Sequence, residues 1–272
     1  LLVFFTTDGA ARFSAPAHSP APFGIVLMLD RLSALLLLLT ALVALPALCY
    51  AMATDADRQG RFFHPLFQFQ LMGLNGAFLT ADLFNLFVFF EILLMASYSL
   101  LAHGGGRERI RAGLHYVILN LTGSALFLIA IGTLYGLTGA LNLAELAVRI
   151  AAAPEADAGL LRAGALLLLV VFGLKAAILP LYGWLPAAYA HASAPVAALF
   201  ALLTKVGVYA IIRIFPLTYG PGFGDWLLPL GLATLLAGSV GVLASQELRR
   251  LIAYSVIVWV GTLLTGIGLG TV

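Results

Sequence analysis

Charge is scarce in this chain: 10% of its 272 residues are Asp, Glu, Lys or Arg, where soluble domains carry about 25%. With 62% apolar residues, that scarcity excludes a soluble globular class and points to an integral membrane protein. Cysteine is nearly absent as well. The single Cys49 permits no internal disulfide and no Cys-rich metal site, and says little about redox compartment. No Cys or His spacing suits an iron–sulfur cluster, a haem or a metal ion. The chain has no phosphate-binding G-x-x-x-x-G-K-[ST] loop, and its triple glycine, Gly104 to Gly106, follows no strand. ATP-driven work and electron transfer within the chain are therefore set aside, and no cofactor is expected. A net charge of +2 is too small and too scattered for nucleic acid.

What is present is length without polarity. A spanning helix needs about 20 mostly apolar residues, and eight segments qualify: roughly 32–53, 63–81, 83–102, 112–136, 162–185, 196–215, 226–245 and 251–271. The runs are too long and too unalternating for barrel strands, so the expected class is all-α, a polytopic transmembrane helical bundle. Gln68, Gln70 and Asn75 dilute the second segment. Small residues such as Gly123, Ser124, Gly238 and Gly261 read as sites of close helix packing. NLAELAVRIAAAPEADAGLL, between the fourth and fifth spans, reads as a short amphipathic surface helix. The chain opens on Leu1 and closes on an apolar run, which suggests one membrane domain, 1–272, cut from a larger protein.

With eight spans, the loops 54–61, 103–111, 186–195 and 246–250 share a face. That face carries Arg58, Arg61, Arg107, Arg109, Arg111, Arg249 and Arg250. Most acids fall on the other. The positive-inside rule assigns the arginine-rich face to the cytoplasm.

The chain contains two lysines, Lys175 and Lys205, and both lie mid-span; Glu91 is the lone acid at that depth. Each central charge costs about 2.5–3.5 kcal/mol on insertion scales, a cost that simple membrane residence does not explain. By default such groups mark an ion or proton path. Pro180 follows Lys175 by five residues and should break the helix there, opening carbonyls to a cavity. Glu91 is the natural partner for Lys175 or for Lys205. His115, one turn inside the fourth span, and His191, between the two lysine helices, are candidates for proton access. His18, His64 and His103 read as solvated, Asp82 as a helix cap, and Arg213 as a side chain snorkelling to water.

FFEILLMASYSLL, GLKAAILPLYGWLP, LLTKVGVYAIIR and SQELRRLIAYS occur in that order. Together they resemble the antiporter-like membrane subunits, which include proton-pumping subunits of respiratory complex I and subunits of Mrp-type Na+/H+ antiporters. The nearest likeness is to the Mrp D subunits, from about Pro22 onward. The resemblance implies a bundle of about fourteen helices built from inverted repeats, of which this chain holds the third to about the tenth. It puts the family's fifth-helix glutamate on Glu91, the lysine of its broken seventh helix on Lys175, and its eighth-helix lysine on Lys205. A charged residue on a twelfth helix would lie beyond the chain. Tyr182 stands where many relatives have His, and Arg249 or Arg250 where they have Lys. The implied function is proton translocation in a multisubunit Na+/proton antiporter of the bacterial inner membrane. Its expected partners are other antiporter subunits, lipid, protons and Na+. The alternative is a proton-pumping membrane subunit of a redox-driven complex, such as NADH–quinone oxidoreductase or a membrane-bound hydrogenase.

Overall fold

In hydrocarbon only a helix or a closed barrel satisfies its own backbone groups, and the long apolar runs among the described residues are helical. The computed structural model describes residues 12–14, 26–219 and 223–270. Its helices are α1 (Arg31–Ala53), α2 (Phe63–Leu79), α3 (Leu83–Ala102), α4 (Arg107–Thr138), α5 (Leu143–Ala151), α6 (Ala158–Ala176), α7 (Leu185–His191), α8 (Ala194–Tyr219), α9 (Gly224–Ala244) and α10 (Leu248–Gly268). A two-stranded antiparallel ribbon, β1 (Arg12–Ser14) with β2 (Leu27–Leu29), precedes them.

Among the described residues, seven helices are long and apolar enough to cross a membrane, with the stretch from Glu155 to His191 counted as one. The expectation was eight. The remaining segment is α2, whose 17 residues give it a length of about 25 Å. Its start adjoins the α3–α4 corner, where Phe63 packs on His103 at 5.2 Å. Its end meets β2 through a bridge between Leu27 and Thr80. α5 is the expected surface helix: it buries Leu143 and Leu146 and shows an exposed Arg149–Glu145 pair at 2.9 Å.

Loops gather on two faces. On the arginine-rich face, Arg109 Nε donates to His191 O at 3.1 Å and Arg249 reaches Ala190 O at 3.4 Å. On the opposite face the Asp82 and Asn142 backbones bridge. Asp82 also caps α3, accepting from the Asn85 N–H at 2.8 Å, as its position suggested.

Two helices carry the core. The apolar windows of α6 with its continuation and of α8 are 67% and 72% buried, against 22% for α1 and for α9. α6 lies between α4 and α8, α3 flanks α4, and α9 and α10 form a hairpin whose α10 side meets α7 and α8. The most enclosed positions therefore belong to the two helices that hold the lysines.

Candidate functional site

α6 stops one residue beyond Lys175. Ala177 takes a left-handed conformation (φ 61°), and the Ile178 N–H turns back to Gly173 O at 2.9 Å. Pro180 has no N–H with which to resume the ladder, so the chain passes through a 3-10 turn at Leu181–Trp184 before α7. The broken ends are not left bare. Trp184 Nε1 donates to Leu174 O at 2.9 Å, and the Leu179 N–H donates to Thr234 Oγ1 of α9 at 3.1 Å. Gly207 of α8 presses on the stop: a Cβ there would sit 2.5 Å from the Ala176 nitrogen. The helix break is where the sequence suggested it, although α6 ends well short of the expected boundary at 185.

This termination puts Lys175 in the last turn of α6, where free carbonyls favour a cation. The side chain is 4% exposed. Its Nζ donates to Asn120 O at 3.4 Å and to Ser124 Oγ at 3.5 Å, both on α4, and lies 5.7 Å from the Phe90 ring centroid. Glu91, on α3, accepts a short hydrogen bond from Ser124 Oγ. None of the ion pairs found among the described residues joins it to either lysine. Of the two candidates for its partner, the geometry favours Lys175, reached through one intervening hydroxyl. Asn120 and Ser124, four residues apart on one face of an apolar helix, were the overlooked signal. Ser124 looked like a packing residue.

Lys205, one helix away, is half-buried on α8 with Thr204 Oγ1 at 3.4 Å. Further along the same helix face come Tyr209 and Arg213. Tyr209 OH donates to Phe78 O at 2.9 Å and meets Ser33 Oγ at 3.2 Å. Arg213 does not snorkel to water as expected. It forms a half-buried ion pair with Asp30, the cap of α1, and its guanidinium lies 5.2 Å from the Tyr209 ring centroid.

The histidines separate. His191 lines a cavity of about 460 Å³ on the arginine-rich face, together with Tyr182, Gly183, Glu247, Arg250 and Tyr254. Its Nδ1 lies 2.8 Å from Ala187 O. His115 lies on the exposed side of α4. His64 is exposed and pairs with Asp57 at 3.0 Å, whereas His103 is buried against Phe63 rather than solvated. His18 lies outside the described residues.

Side chains around the Glu91–Ser124–Lys175 cluster are sorted by face. Toward the arginine-rich face stand hydroxyl and indole groups: Ser97 Oγ bonds Tyr116 OH at 2.8 Å, and Tyr116 stacks on Trp184 at 4.9 Å. Toward the opposite face stand phenyl rings, with Phe87, Phe90, Phe127 and Phe172 in contact at centroid distances of 5.2–6.3 Å.

Comparison with known proteins adds a lineage to this geometry. Residues 80–272 match the family described as NADH:quinone oxidoreductase/Mrp antiporter, TM. The chain is 54% identical over 258 residues to the D subunit of a probable K(+)/H(+) antiporter of Rhizobium meliloti, covering 92% of this chain and 48% of that protein. It is 42% identical over 256 residues to the D subunit of the Na(+)/H(+) antiporter of Alkalihalophilus pseudofirmus, covering 92% and 52%. Among solved structures it superposes on a chain of the Mrp complex from Dietzia sp. with a TM-score of 0.87 at 32% identity, covering 96% of this chain and 49% of that one. The chain spans about half the length of the relatives it matches.

Proposed function

The chain belongs to the NADH:quinone oxidoreductase/Mrp antiporter membrane family, and from that premise we propose that it carries protons within a multisubunit monovalent-cation/proton antiporter, along Glu91, Lys175 and Lys205. The observation that carries this reading is the buried Lys175 ammonium at the end of a broken helix, coupled to a carboxylate on α3. An ammonium and a carboxylate withdrawn from water each lose stability as ions and regain it through each other. Separating them therefore favours loss of a proton from the lysine and uptake by the acid, and bringing them together favours the reverse.

In the proposed cycle, protons enter from the arginine-rich, cytoplasmic face through the cavity beside His191, which reaches Tyr182 in the turn that follows the break. His191 is preferred to His115 for this role, because His115 faces away from the bundle. Separation of Glu91 and Lys175 then hands charge toward Lys205, which donates to the uncharged Thr204 hydroxyl. An ammonium there is stabilised only weakly, which suits a group that passes its proton on toward the remainder of the protein. One relative is named for K+ and another for Na+, so the exchanged cation is either of these, with Na+ the expectation from the motifs.

The test uses the full-length parent complex in everted vesicles under an imposed proton gradient. KCl or NaCl is added, and dequenching of a pH dye is followed. Wild type collapses the gradient with at least one of the cations. Assembled Glu91→Gln and Lys175→Ala complexes lose about 10²-fold or more of the rate, the scale of a missing proton-transfer group. A wild type silent to both cations would move the chain to the redox-driven branch of the family. Variants as fast as wild type would remove the pair from the path.

A further inference from the structure

Glu91 and Lys175 do not touch, and a proton cannot jump a gap that no hydrogen bond spans. We propose that Ser124 is the proton-relaying residue between them, an inference that rests on the relay reading above. Its hydroxyl donates to Glu91 Oε1 and accepts from Lys175 Nζ at 3.5 Å. A second acceptor, Asn120 O, lies 3.1 Å away. A serine hydroxyl owns one proton and two lone pairs, so it can face either acceptor while still receiving from the lysine.

Those two orientations have different consequences. With the hydroxyl on Glu91, a concerted shift is possible. One N–H bond of Lys175 breaks as an O–H bond forms on Ser124, and the original Ser124 O–H breaks as an O–H forms on Glu91. The serine ends as it began, Lys175 is a neutral amine, and Glu91 is a neutral acid. With the hydroxyl turned to Asn120 O, the wire is cut and both groups keep their charges. Ser124 is 4% exposed, so the hydroxyl that stands between the two groups is itself enclosed by the helices. A hydroxyl held this way serves as a switch by rotating about one bond, on a timescale far shorter than transport.

The experiment measures the initial rate of dequenching against cation concentration in vesicles holding the complete complex, for wild type, Ser124→Ala, Ser124→Thr and Glu91→Gln. Co-purification of partner subunits checks assembly. Ser124→Ala should lower the maximal rate at least tenfold while leaving the half-saturating cation concentration unchanged. Ser124→Thr, which restores a hydroxyl at the same carbon, should recover most of that rate. If the alanine complex does not assemble, Ser124→Cys, close in size and a poor donor, takes its place with the same expected loss. A serine variant as fast as wild type, beside an inactive Glu91→Gln, overturns the bridge and leaves the relay standing. An assembled threonine variant as slow as alanine also overturns it, because the effect would then be one of shape. A fully active Glu91→Gln overturns the relay itself, and the bridge with it.

Discussion

Arg213 and Asp30 lie 183 residues apart, and their pairing shows what a single side chain contributes beyond its hydropathy. Burial alone would raise the Asp30 carboxyl. Hydrogen bonds from Arg213 and from the Ser33 backbone, with the guanidinium charge, outweigh it and hold the group below its ordinary value of 3.8. A carboxyl held low when folded adds stability above the unfolded value and loses it as pH falls through the lower folded value. Asp30→Asn should therefore cost about 1–3 kcal/mol at neutral pH, the price of an imperfectly matched charged partner. It should also flatten the fall in thermal midpoint of the purified complex between about pH 5 and about pH 3; an undiminished fall would assign the acid sensitivity to other carboxylates. The sequence suggested that Arg213 lay near a helix end, whereas α8 continues past it to Tyr219; nor could the sequence pair it, since its partner caps another helix at the far end of the chain. Ser124 escaped for a related reason. A serine inside an apolar span is usually a packing residue, and only the third dimension shows that this one meets a carboxylate and an ammonium together.

Among the elements, α6 and its continuation combine the most legible feature with the least. A proline five residues after a mid-span lysine announces a break, because the missing N–H cannot be supplied locally. The repair was invisible: Trp184 and Thr234, which satisfy Leu174 O and the Leu179 N–H, carry no mark in the sequence that ties them to the break. Equally hidden was the demand on α8 at Gly207, where any side chain meets the Ala176 backbone. Gly207→Ala should push α8 from the end of α6 at a cost of about 1–3 kcal/mol, as overpacking does. It should slow dequenching even in complexes that retain all partners, because the displaced segment carries Lys175. A normal rate in Gly207→Ala would mean that α6 can shift without disturbing its lysine. Thr234→Val, which leaves the Leu179 N–H unpaired, should lower the thermal midpoint by the equivalent of about 1–3 kcal/mol.

For the whole molecule, the eight-segment reading fixed the two faces well, because loop arginines and acids sort by side and the folded loops meet as that sorting requires. α2 is the shortest of the eight segments at 17 residues, and its polar Gln68, Gln70 and Asn75 already marked it in the sequence as the least continuous apolar run. Orientation can be tested with impermeant maleimide in a Cys49→Ala background. Arg58→Cys should be labelled in everted vesicles and protected in intact cells, and Glu155→Cys the reverse; matching labelling patterns would refute the assignment of faces. The sorting of aromatic groups around the charged cluster has an electrical meaning. A bilayer holding a proton gradient behaves as a charged capacitor, and wherever ions are brought to its midplane the insulation is thinnest. Phe87, Phe90, Phe127 and Phe172 offer neither a donor nor an acceptor along their side of that thin point, while Ser97, Tyr116 and Trp184 line the other. On the proposed relay, the phenyl rings would form the dielectric of the device, with charge loaded from one plate and leakage current to the other suppressed.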